Sequence, residues 1–159
     1  MKKLAVFLIV MVLIGAGFFL YYAQPKVDIE ESEAGTASFN SLSPTMQLFA
    51  RTLDAEARGE PYVGQVAVGA VIMNRVRDSR FPNTISGVIY QPWAFTAVAR
   101  GHIWEQTPSD QIVKATLAAY RGWDPTYGSV YYYNAAKVET NWIFSRKIVR
   151  RIGKHIFAK

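Results

Sequence analysis

The chain begins with one long apolar run and continues with shorter, interrupted apolar patterns. Leu4 to Ala23 are uncharged and mostly apolar, directly after Lys2 and Lys3. About 20 such residues span the ~30 Å hydrocarbon core of a bilayer as a helix, and the two lysines favour a cytoplasmic N-terminus. A cleavable signal peptide has a shorter apolar run and a small-residue cleavage site. Residues 1–25 therefore predict a single-pass membrane anchor, with a cleaved secretion signal as the alternative, and both put the remaining chain outside.

The next stretch, residues 26–44, has no apolar periodicity. It holds Lys26 against four acidic residues and is otherwise rich in small side chains. A segment of this composition cannot bury enough apolar surface to offset the entropy lost on ordering. We therefore predict a flexible acidic tether over 26–44 and one folded domain over 45–159.

Helical periodicity starts at the beginning of that domain. Serine followed by proline at 43–44 is typical of an N-cap and a first helical position. The stripe that follows has spacings of 4, 3 and 4, through Phe49, Leu53, Glu56 and Glu60. Gly59 and Pro61 indicate that the helix ends near residue 57 or 58. Glu56 is thus predicted in the last turn, on the apolar side.

The rest of the domain predicts further helices and then short strands. The predicted elements are a helix from Pro61 to about Val76, a short helix capped by Asn83 or Thr84 and ending at Ile89, an aromatic loop at 91–96, a helix from Pro108 to Tyr120, a turn at 122–125, and strands at 129–133, 142–144 and 153–157. Helices followed by a small C-terminal β region indicate an α+β fold.

Several classes of chemistry are excluded by composition and motif. The chain has no cysteine, so disulfides, thiolate metal sites and a cysteine nucleophile are all ruled out. It has no G-x-S-x-G, P-loop, G-x-G-x-x-G or H-E-x-x-H motif. His102 and Glu105 are three residues apart, but two potential ligands without a third do not define a metal site. We therefore predict neither a metal nor a cofactor.

Positive charge is concentrated towards the C-terminus. Residues 45–159 hold fifteen Lys or Arg and eight Asp or Glu, and six cations but no acid follow Glu139. This charge favours an anionic partner such as an acidic wall polymer or lipid headgroups, although a solvated basic surface is the simpler alternative. The predicted outward orientation argues against nucleic acid. No particular protein partner is indicated.

Carboxylates are the remaining candidates for catalysis. Glu56 lies on a mostly apolar helix face, where desolvation raises the pKa of a carboxyl group and suits it to general acid catalysis. An ion pair with Arg58 or another arginine is the alternative. Asp54 is expected to point to the other side of the helix as a surface or local hydrogen-bonding group. Glu60, next to Pro61, is expected to cap the helix junction.

Aromatic side chains are more numerous than a core of this size requires. The surplus comprises Trp93, Phe95, Trp104, Trp123, Tyr131, Tyr132, Tyr133 and Trp142. Flat aromatic faces pack against sugar rings, and Gln91, Asn134 and Asn141 can bond to hydroxyl or N-acetyl groups. Core packing is the alternative for about half of them. His155 is expected to be structural or to contact substrate.

A collinear series of motifs covers nearly the whole domain. The motifs are Ala55–Pro61, Gly64–Val68, Val71–Val76, Phe81–Thr84, Gly87–Pro92, Ala94–Val98, Gly122–Pro125, Tyr131–Asn134, Trp142–Ile143 and Ile152–Phe157. In this order they resemble the cell-wall hydrolase domain of spore cortex-lytic enzymes, the SleB/CwlJ family. The anchor and tether are predicted where the best-known members have a peptidoglycan-binding repeat.

The resemblance implies a fold similar to lysozyme and lytic transglycosylases and cleavage of the MurNAc–GlcNAc strand of peptidoglycan. It assigns the catalytic role to one glutamate, which corresponds to Glu56. The residues expected to bind substrate are Glu60, Gln91, Phe95, Trp123, Tyr132, Tyr133, Asn134, Trp142 and His155. Because no second carboxylate is evident and Glu60 is the weak candidate, we expect transglycosylation with Glu56 as acid and then base. The alternative is a membrane-tethered protein that binds peptidoglycan without cleaving it.

Overall fold

Helices followed by a small antiparallel sheet form the part of the chain that the computed structural model describes, residues 37–105, 107–138 and 141–159. The helices are α1 (Pro44–Ala57), α2 (Tyr62–Arg77), α3 (Ile85–Ile89), α4 (Thr96–Ala99) and α5 (Asp110–Tyr120). The strands are β1 (Tyr131–Tyr133), β2 (Ile148–Ile152) and β3 (His155–Ala158). Single 3₁₀ turns cover Phe39–Ser41, His102–Trp104 and Asn141–Ser145. The predicted α+β order is confirmed.

Helices α1 and α3 begin where their capping residues predict, whereas α5, predicted from Pro108, begins at Asp110 after its N-cap Ser109. The side chains of Ser43, Thr84 and Ser109 accept hydrogen bonds from backbone N–H groups three residues further on. These bonds satisfy donors that the first turn of a helix leaves without an intrahelical partner. The first helix ends at Ala57, as the glycine and proline that follow it predict.

Helix α2 forms the centre of the core. Every residue from Gly64 to Met73 is buried, which explains why this helix has no polar face. Helix α5 packs closely against it, because a Cβ atom on Gly69 would lie 2.8 Å from the Cβ of Ala119. A small side chain on each helix therefore permits the close approach.

The sheet has the order β1-β3-β2, and both pairs are antiparallel. Strand β3 is central and fully buried, and Phe157 contributes to the main hydrophobic core. Strand β2 is mostly exposed, with only Val149 and Ile152 partly buried, and it lies at one edge of the sheet. Strand β1 forms the other edge of the sheet, and Tyr132 is its middle residue.

Three sequence predictions need correction. Residues 142–144 lie in a 3₁₀ turn instead of a strand, and β2, which was not predicted, follows them. The strand predicted at 153–157 is displaced to 155–158, because Gly153 and Lys154 form the turn. Phe39 is buried against Ala50, so the folded region extends back into the stretch predicted as a tether.

The predicted membrane anchor, residues 1–25, lies outside the described residues, as does the tether up to residue 36. Within the described ranges, no helix combines the length and apolar character needed to cross a bilayer.

Candidate active site

The carboxyl group of Glu56 lies at the end of α1, and its surroundings favour the protonated form. It is half-buried, and its Oε2 atom accepts a hydrogen bond of 2.9 Å from the hydroxyl group of Tyr132. Burial raises the pKa of Glu56, while the Tyr132 hydrogen bond and the charge of Arg75 lower it to a smaller extent. Desolvation therefore dominates, as the position on an apolar helix face predicts.

The ion pair with Arg58 that was the alternative for Glu56 is formed by Asp54 instead. Arg58 donates from Nε to Oδ1 of Asp54 over 3.0 Å, and its Nη2 also contacts Oδ2 of Asp54. The spacing of four residues puts Asp54 and Arg58 one above the other on the helix. Asp54 is thus a buried, locally bonded group rather than a surface one, and Glu56 retains its Tyr132 contact.

Tyr132 reaches Glu56 because the sheet holds β1 beside the end of α1. Tyr132 pairs with Phe157 in the sheet register, and its ring meets the His155 ring edge-on at 5.1 Å between centroids. Burial, followed by the charge of Glu56, raises the pKa of Tyr132 well above that of an ordinary tyrosine. The hydroxyl group therefore keeps its proton and acts as a permanent hydrogen-bond donor to Glu56.

A cavity of about 330 Å³ adjoins Tyr132. Its lining residues are Arg75, Phe81, Gln91, Pro92, Trp93, Ala94, Tyr131, Tyr132, Tyr133, Val138, Trp142 and Ile143. Trp93 stands 90% exposed at the rim, and Trp142 packs edge-on against Tyr131 at 5.7 Å between centroids. Aromatic faces with a few polar groups are typical of a site for sugar rings, with Glu56 beside it through Tyr132.

The predicted substrate-binding residues divide into two groups. Gln91, Tyr132, Tyr133 and Trp142 line the cavity. Glu60, Phe95, Trp123, Asn134 and His155 are elsewhere.

Two aromatic residues in the second group pack against protein. Phe95 is 2% exposed in the core, and Trp123 packs against Tyr62 with ring centroids 5.8 Å apart. Asn134 accepts a hydrogen bond of 3.0 Å from the backbone of Ala136 within its own turn. These three side chains therefore have structural contacts that the composition-based argument did not identify.

Glu60 connects the α1–α2 junction to the sheet. Its side chain is buried, and Oε2 accepts a hydrogen bond of 2.9 Å from the backbone N–H of Lys154 in the β2–β3 turn. This bond supports the expectation that Glu60 holds the junction in shape, although the contact is with a distant turn and not with the α2 N-terminus.

His155 lies behind Tyr132 in the same wall. Burial lowers the pKa of His155, and the charge of Glu60 opposes that shift. The ring is therefore neutral near physiological pH, and it packs against both Tyr132 and Phe157. This geometry supports the structural alternative for His155.

Two features of the site were missed by sequence reasoning. Arg75 belongs to the nearly all-buried α2, and nothing in the local pattern distinguishes it from a surface cation. Asp124 organises the loop before β1 by accepting from Asn74 over 2.9 Å and from the backbones of Thr126 and Gly128. The Gly-Trp-Asp-Pro turn was the only signal for that loop.

Metal binding has no support in the described ranges. They contain no group of three or more His, Cys, Asp or Glu side chains arranged to hold a metal ion. His102 and Glu105 approach to 3.9 Å between Nε2 and Oε1, and both side chains are exposed. Their spacing therefore reflects a surface pair.

The chain belongs to the cell wall hydrolase family. The sequence profile of the family described as Cell Wall Hydrolase matches residues 59–158, which is more than half of the chain. The predicted resemblance is thereby confirmed. Glu56 lies three residues before the matched stretch, so its role depends on the site geometry and on the motif around it.

Individual relatives are spore cortex-lytic enzymes and a cell wall hydrolase. The spore cortex-lytic enzyme of Bacillus cereus is 54% identical over 114 residues, which cover 72% of this chain and 44% of the relative. The spore cortex-lytic enzyme of Oceanobacillus iheyensis is 48% identical over 133 residues, which cover 81% of this chain and 48% of the relative. The chain thus spans less than half the length of these enzymes. The cell wall hydrolase CwlJ of Bacillus subtilis is 30% identical over 127 residues and is covered to 89%.

Solved structures show the same fold. The catalytic domain of Bacillus cereus SleB matches with a TM-score of 0.68 and 53% identity, covering 72% of this chain and 89% of that one. The catalytic domain of the germination-specific lytic transglycosylase SleB from Bacillus anthracis matches with a TM-score of 0.70 and 51% identity, covering 76% and 98%. The helical domain with a small sheet is therefore the SleB catalytic fold.

Proposed function

We propose that this protein degrades peptidoglycan by cleaving the bond between MurNAc and GlcNAc, with Glu56 as the acid. The observation that carries the proposal is the half-buried Glu56 carboxyl group, which has a raised pKa and a Tyr132 hydrogen bond beside an aromatic cavity. A raised pKa suits a carboxyl group to act as a general acid that protonates a glycosidic oxygen. Membership of the cell wall hydrolase family supports the same substrate class.

The mechanism we propose is lytic transglycosylation in a lysozyme-like site. Glu56 donates its proton to the glycosidic oxygen as the bond from C1 to that oxygen breaks. The resulting carboxylate then accepts the proton of the muramoyl 6-hydroxyl as that oxygen bonds to C1, which leaves a 1,6-anhydro ring. One carboxyl group is sufficient, because the attacking hydroxyl is part of the same sugar and its proximity lowers the barrier. Ordinary glycoside hydrolysis uses two carboxyl groups.

The position of Glu60 supports the one-carboxylate scheme. Its Oε2 atom is occupied by the Lys154 N–H group, and the side chain is only 9% exposed. A general base must reach the attacking group directly or through one water molecule. Glu60 is therefore better suited to holding the junction than to acting as the second carboxylate.

Product analysis tests the reaction. Purified peptidoglycan is digested with the wild-type chain, and the fragments are examined by mass spectrometry for 1,6-anhydromuramic ends. Reducing muramic ends in their place would overturn transglycosylation and favour hydrolysis. The Glu56→Gln variant should lose about 10²–10⁴-fold of the rate, as expected for a missing general acid.

The same variant separates catalysis from simple binding. Glu105→Gln is the matched control, because that side chain is exposed and lies outside the aromatic cavity. It should leave the rate of wall lysis unchanged. If Glu56→Gln cleaves as fast as this control, Glu56 is not the acid. If neither the wild-type chain nor the control releases fragments, the membrane-tethered binding protein becomes the better description.

The names of the relatives suggest a spore cortex substrate, and we propose cortex peptidoglycan as the preferred form. Parallel digestion of cortex and vegetative peptidoglycan from one strain tests this preference. A faster release of fragments from the vegetative wall would contradict it and indicate general wall remodelling.

We also propose that residues 4–23 retain the chain in the cell membrane, with the catalytic domain on the wall side. The apolar run of about 20 residues after two lysines supports this location. Mass spectrometry of the chain recovered from membranes should find the N-terminal peptide intact. Recovery only of a shortened chain from the medium would indicate a cleaved signal and a secreted enzyme.

A further inference from the structure

Trp93 has a backbone conformation that is unusual for its side chain. Its φ is +62°, and the backbone N–H of Ala94 donates a hydrogen bond of 3.1 Å to the carbonyl oxygen of Gln91. Residues 91–94 therefore form a type II β-turn, with Pro92 in the second position and Trp93 in the third. That third position favours glycine or asparagine, because most other side chains are strained there. The turn thus holds a bulky ring at a position that disfavours it.

Packing within the protein does not offset this strain. Tyr127 is the only other non-glycine residue with a positive φ in the described ranges, and the central guanidinium carbon of Arg150 lies 5.5 Å from the centre of its ring. The Trp93 side chain is 90% exposed, and no ring or cation packs against it in the same part of the chain. Backbone strain without such a contact is characteristic of residues that serve a binding site.

The other three tryptophans of the chain differ from Trp93 in this respect. The Trp104 ring centre lies 5.4 Å from the central guanidinium carbon of Arg51. The rings of Trp123 and Trp142 pack against tyrosines, at 5.8 and 5.7 Å between centroids. Each of the three is between 45% and 59% exposed. Trp93 is therefore the tryptophan whose ring is most accessible to an external molecule.

The position of Trp93 relative to the aromatic cavity indicates what that molecule is. The cavity adjoins Tyr132, which bonds to Glu56, and Trp93 stands at its rim. Its volume of about 330 Å³ is at the lower end of the ~300–1,000 Å³ of ligand sites, so a polymer that enters it continues past the rim. Among the described lining residues only Arg75 carries a charge. The rim thus suits an uncharged, partly apolar ring of the same strand.

We propose that Trp93 is a stacking platform for a sugar ring of the glycan strand at the rim of the cavity, further from Glu56 than the two rings joined by the cleaved bond. The proposal rests on the proposed function, because the strand has to enter the cavity to be cleaved. The apolar C–H face of the sugar covers the exposed indole and stabilises the bound strand. A ring outside the reacting pair contributes equally to ground-state and transition-state binding, so Trp93 lowers KM and leaves kcat unchanged.

The test compares kinetic constants on soluble glycan strands without peptides. Trp93→Gly removes the ring and supplies a residue that the turn favours, so the variant should fold, which thermal unfolding verifies. Its KM should rise about 10-fold with kcat unchanged, the size expected for one stacked aromatic contact. Trp93→Tyr keeps an aromatic face and should restore most of the affinity. Trp104→Ala is the matched control, because Trp104 is an exposed tryptophan outside the cavity, and it should leave both constants unchanged.

Each alternative result overturns the proposal in a different way. An unchanged KM in folded Trp93→Gly, or an equal rise in Trp104→Ala, would mean that Trp93 has no specific part in binding the strand. A fall in kcat at constant KM would assign the ring to the reacting sugars. A rise in KM confined to strands that carry peptides would assign it to the peptide.

A binding measurement separates this proposal from the proposed reaction. Fluorescence anisotropy of labelled strands is followed with the Glu56→Gln full-length chain, with and without Trp93→Gly, and the dissociation constant should rise about 10-fold. Binding that depends on Trp93, together with no cleavage by the wild-type chain, would overturn the proposed reaction and leave the platform standing. Cleavage by the wild-type chain with binding that is independent of Trp93 would do the reverse.

Discussion

At the scale of single residues, Glu56 lies between opposing influences on its pKa. Burial raises the pKa, whereas the hydrogen bond from Tyr132 and the charge of Arg75 lower it. The net effect is a raised pKa, while the Tyr132 hydroxyl holds the carboxyl group in one orientation. The Tyr132 hydroxyl therefore orients the carboxyl group and also lowers its pKa, whereas burial raises the pKa.

The Tyr132→Phe variant should change both the pKa and the orientation of the Glu56 carboxyl group, and each change has its own readout. Removing the hydroxyl removes an influence that lowers the pKa of Glu56, so the pKa rises further. Because the protonated form is the acid, the fall in kcat/KM that follows loss of the Glu56 proton should move to higher pH. The rate itself should fall about 10-fold because the carboxyl group is less well oriented. The measurement is a pH–rate profile on soluble glycan strands.

Tyr133→Phe is the matched control for that profile. Tyr133 is the next residue in β1 and lines the same cavity, but its hydroxyl does not donate to Glu56. Its pH dependence should match the wild type. A profile for Tyr132→Phe that moves to lower pH would contradict the arrangement of charges described above.

At the scale of secondary-structure elements, the β2–β3 turn is fastened to the α1–α2 junction. Glu60 supplies the contact by accepting the Lys154 N–H. Gly153 permits it, because the residue has a φ of +56° and a Cβ atom there would lie 2.0 Å from Oε2 of Glu60. The sheet that carries Tyr132 is therefore coupled to the helix that carries Glu56 by a contact outside the cavity.

Gly153→Ala should expose the strength of this coupling. The positive φ costs roughly 1–2 kcal/mol for a residue with a side chain, and displacement of Glu60 adds the loss of a buried hydrogen bond, about 1–3 kcal/mol. Gly101→Ala is the matched control, because Gly101 has a φ of +74° but open space around its Cβ position. Gly101→Ala should show only the cost of the positive φ. Urea unfolding measures the free energy of unfolding of the two variants.

The same substitutions in a Glu60→Ala background complete that comparison. Without the Glu60 side chain, the loss of unfolding free energy caused by Gly153→Ala should fall to about that caused by Gly101→Ala. Equal costs in the presence and absence of Glu60 would mean that the turn and the junction are energetically independent.

At the scale of the whole molecule, charge is distributed unequally over the described chain. Residues 141–159 carry six Lys or Arg and no Asp or Glu, whereas residues 37–138 carry nine and seven. The edge strand β2 and the turn after it expose Arg150, Arg151 and Lys154. This basic edge strand is suited to an anionic polymer such as the cell wall, because the surrounding acids are too few to neutralise it.

Wall binding should therefore depend on salt. The Glu56→Gln chain, which should not degrade its target, is pelleted with purified walls at increasing NaCl. Retention should fall as the Debye length shortens from ~8 Å at 0.15 M to ~3 Å at 1 M. The double charge reversal of Arg151 and Lys154 to Glu should weaken retention at low salt. Reversal of Arg77 and Arg121, exposed cations of the helical region, is the control. Retention that persists unchanged at 1 M NaCl would argue against an electrostatic contact.

The sequence by itself determined the features that depend on neighbouring residues. Capping by Ser43 and Thr84 acts within one helical turn, so the starts of α1 and α3 were predictable, while the predicted start of α5 at Pro108 was two residues too early. The apolar stripe put Glu56 in the last turn of α1 on the buried side, and this too is a local property. The strand predictions were less accurate, because a strand depends on a partner that is distant in sequence. Trp142 lies in a 3₁₀ turn, and β2 was not predicted.

Only the tertiary structure decided which side chains meet. Tyr132 bonds to Glu56 across 76 positions of sequence, and Glu60 bonds to Lys154 across 94. Arg75 lies in the cavity because α2 ends beside β1, and Phe95 is in the core although composition made it a candidate for binding sugar. Such contacts depend on how helices and strands pack over long separations. Local hydrophobic pattern identifies the buried face of each element but not the partner that covers it.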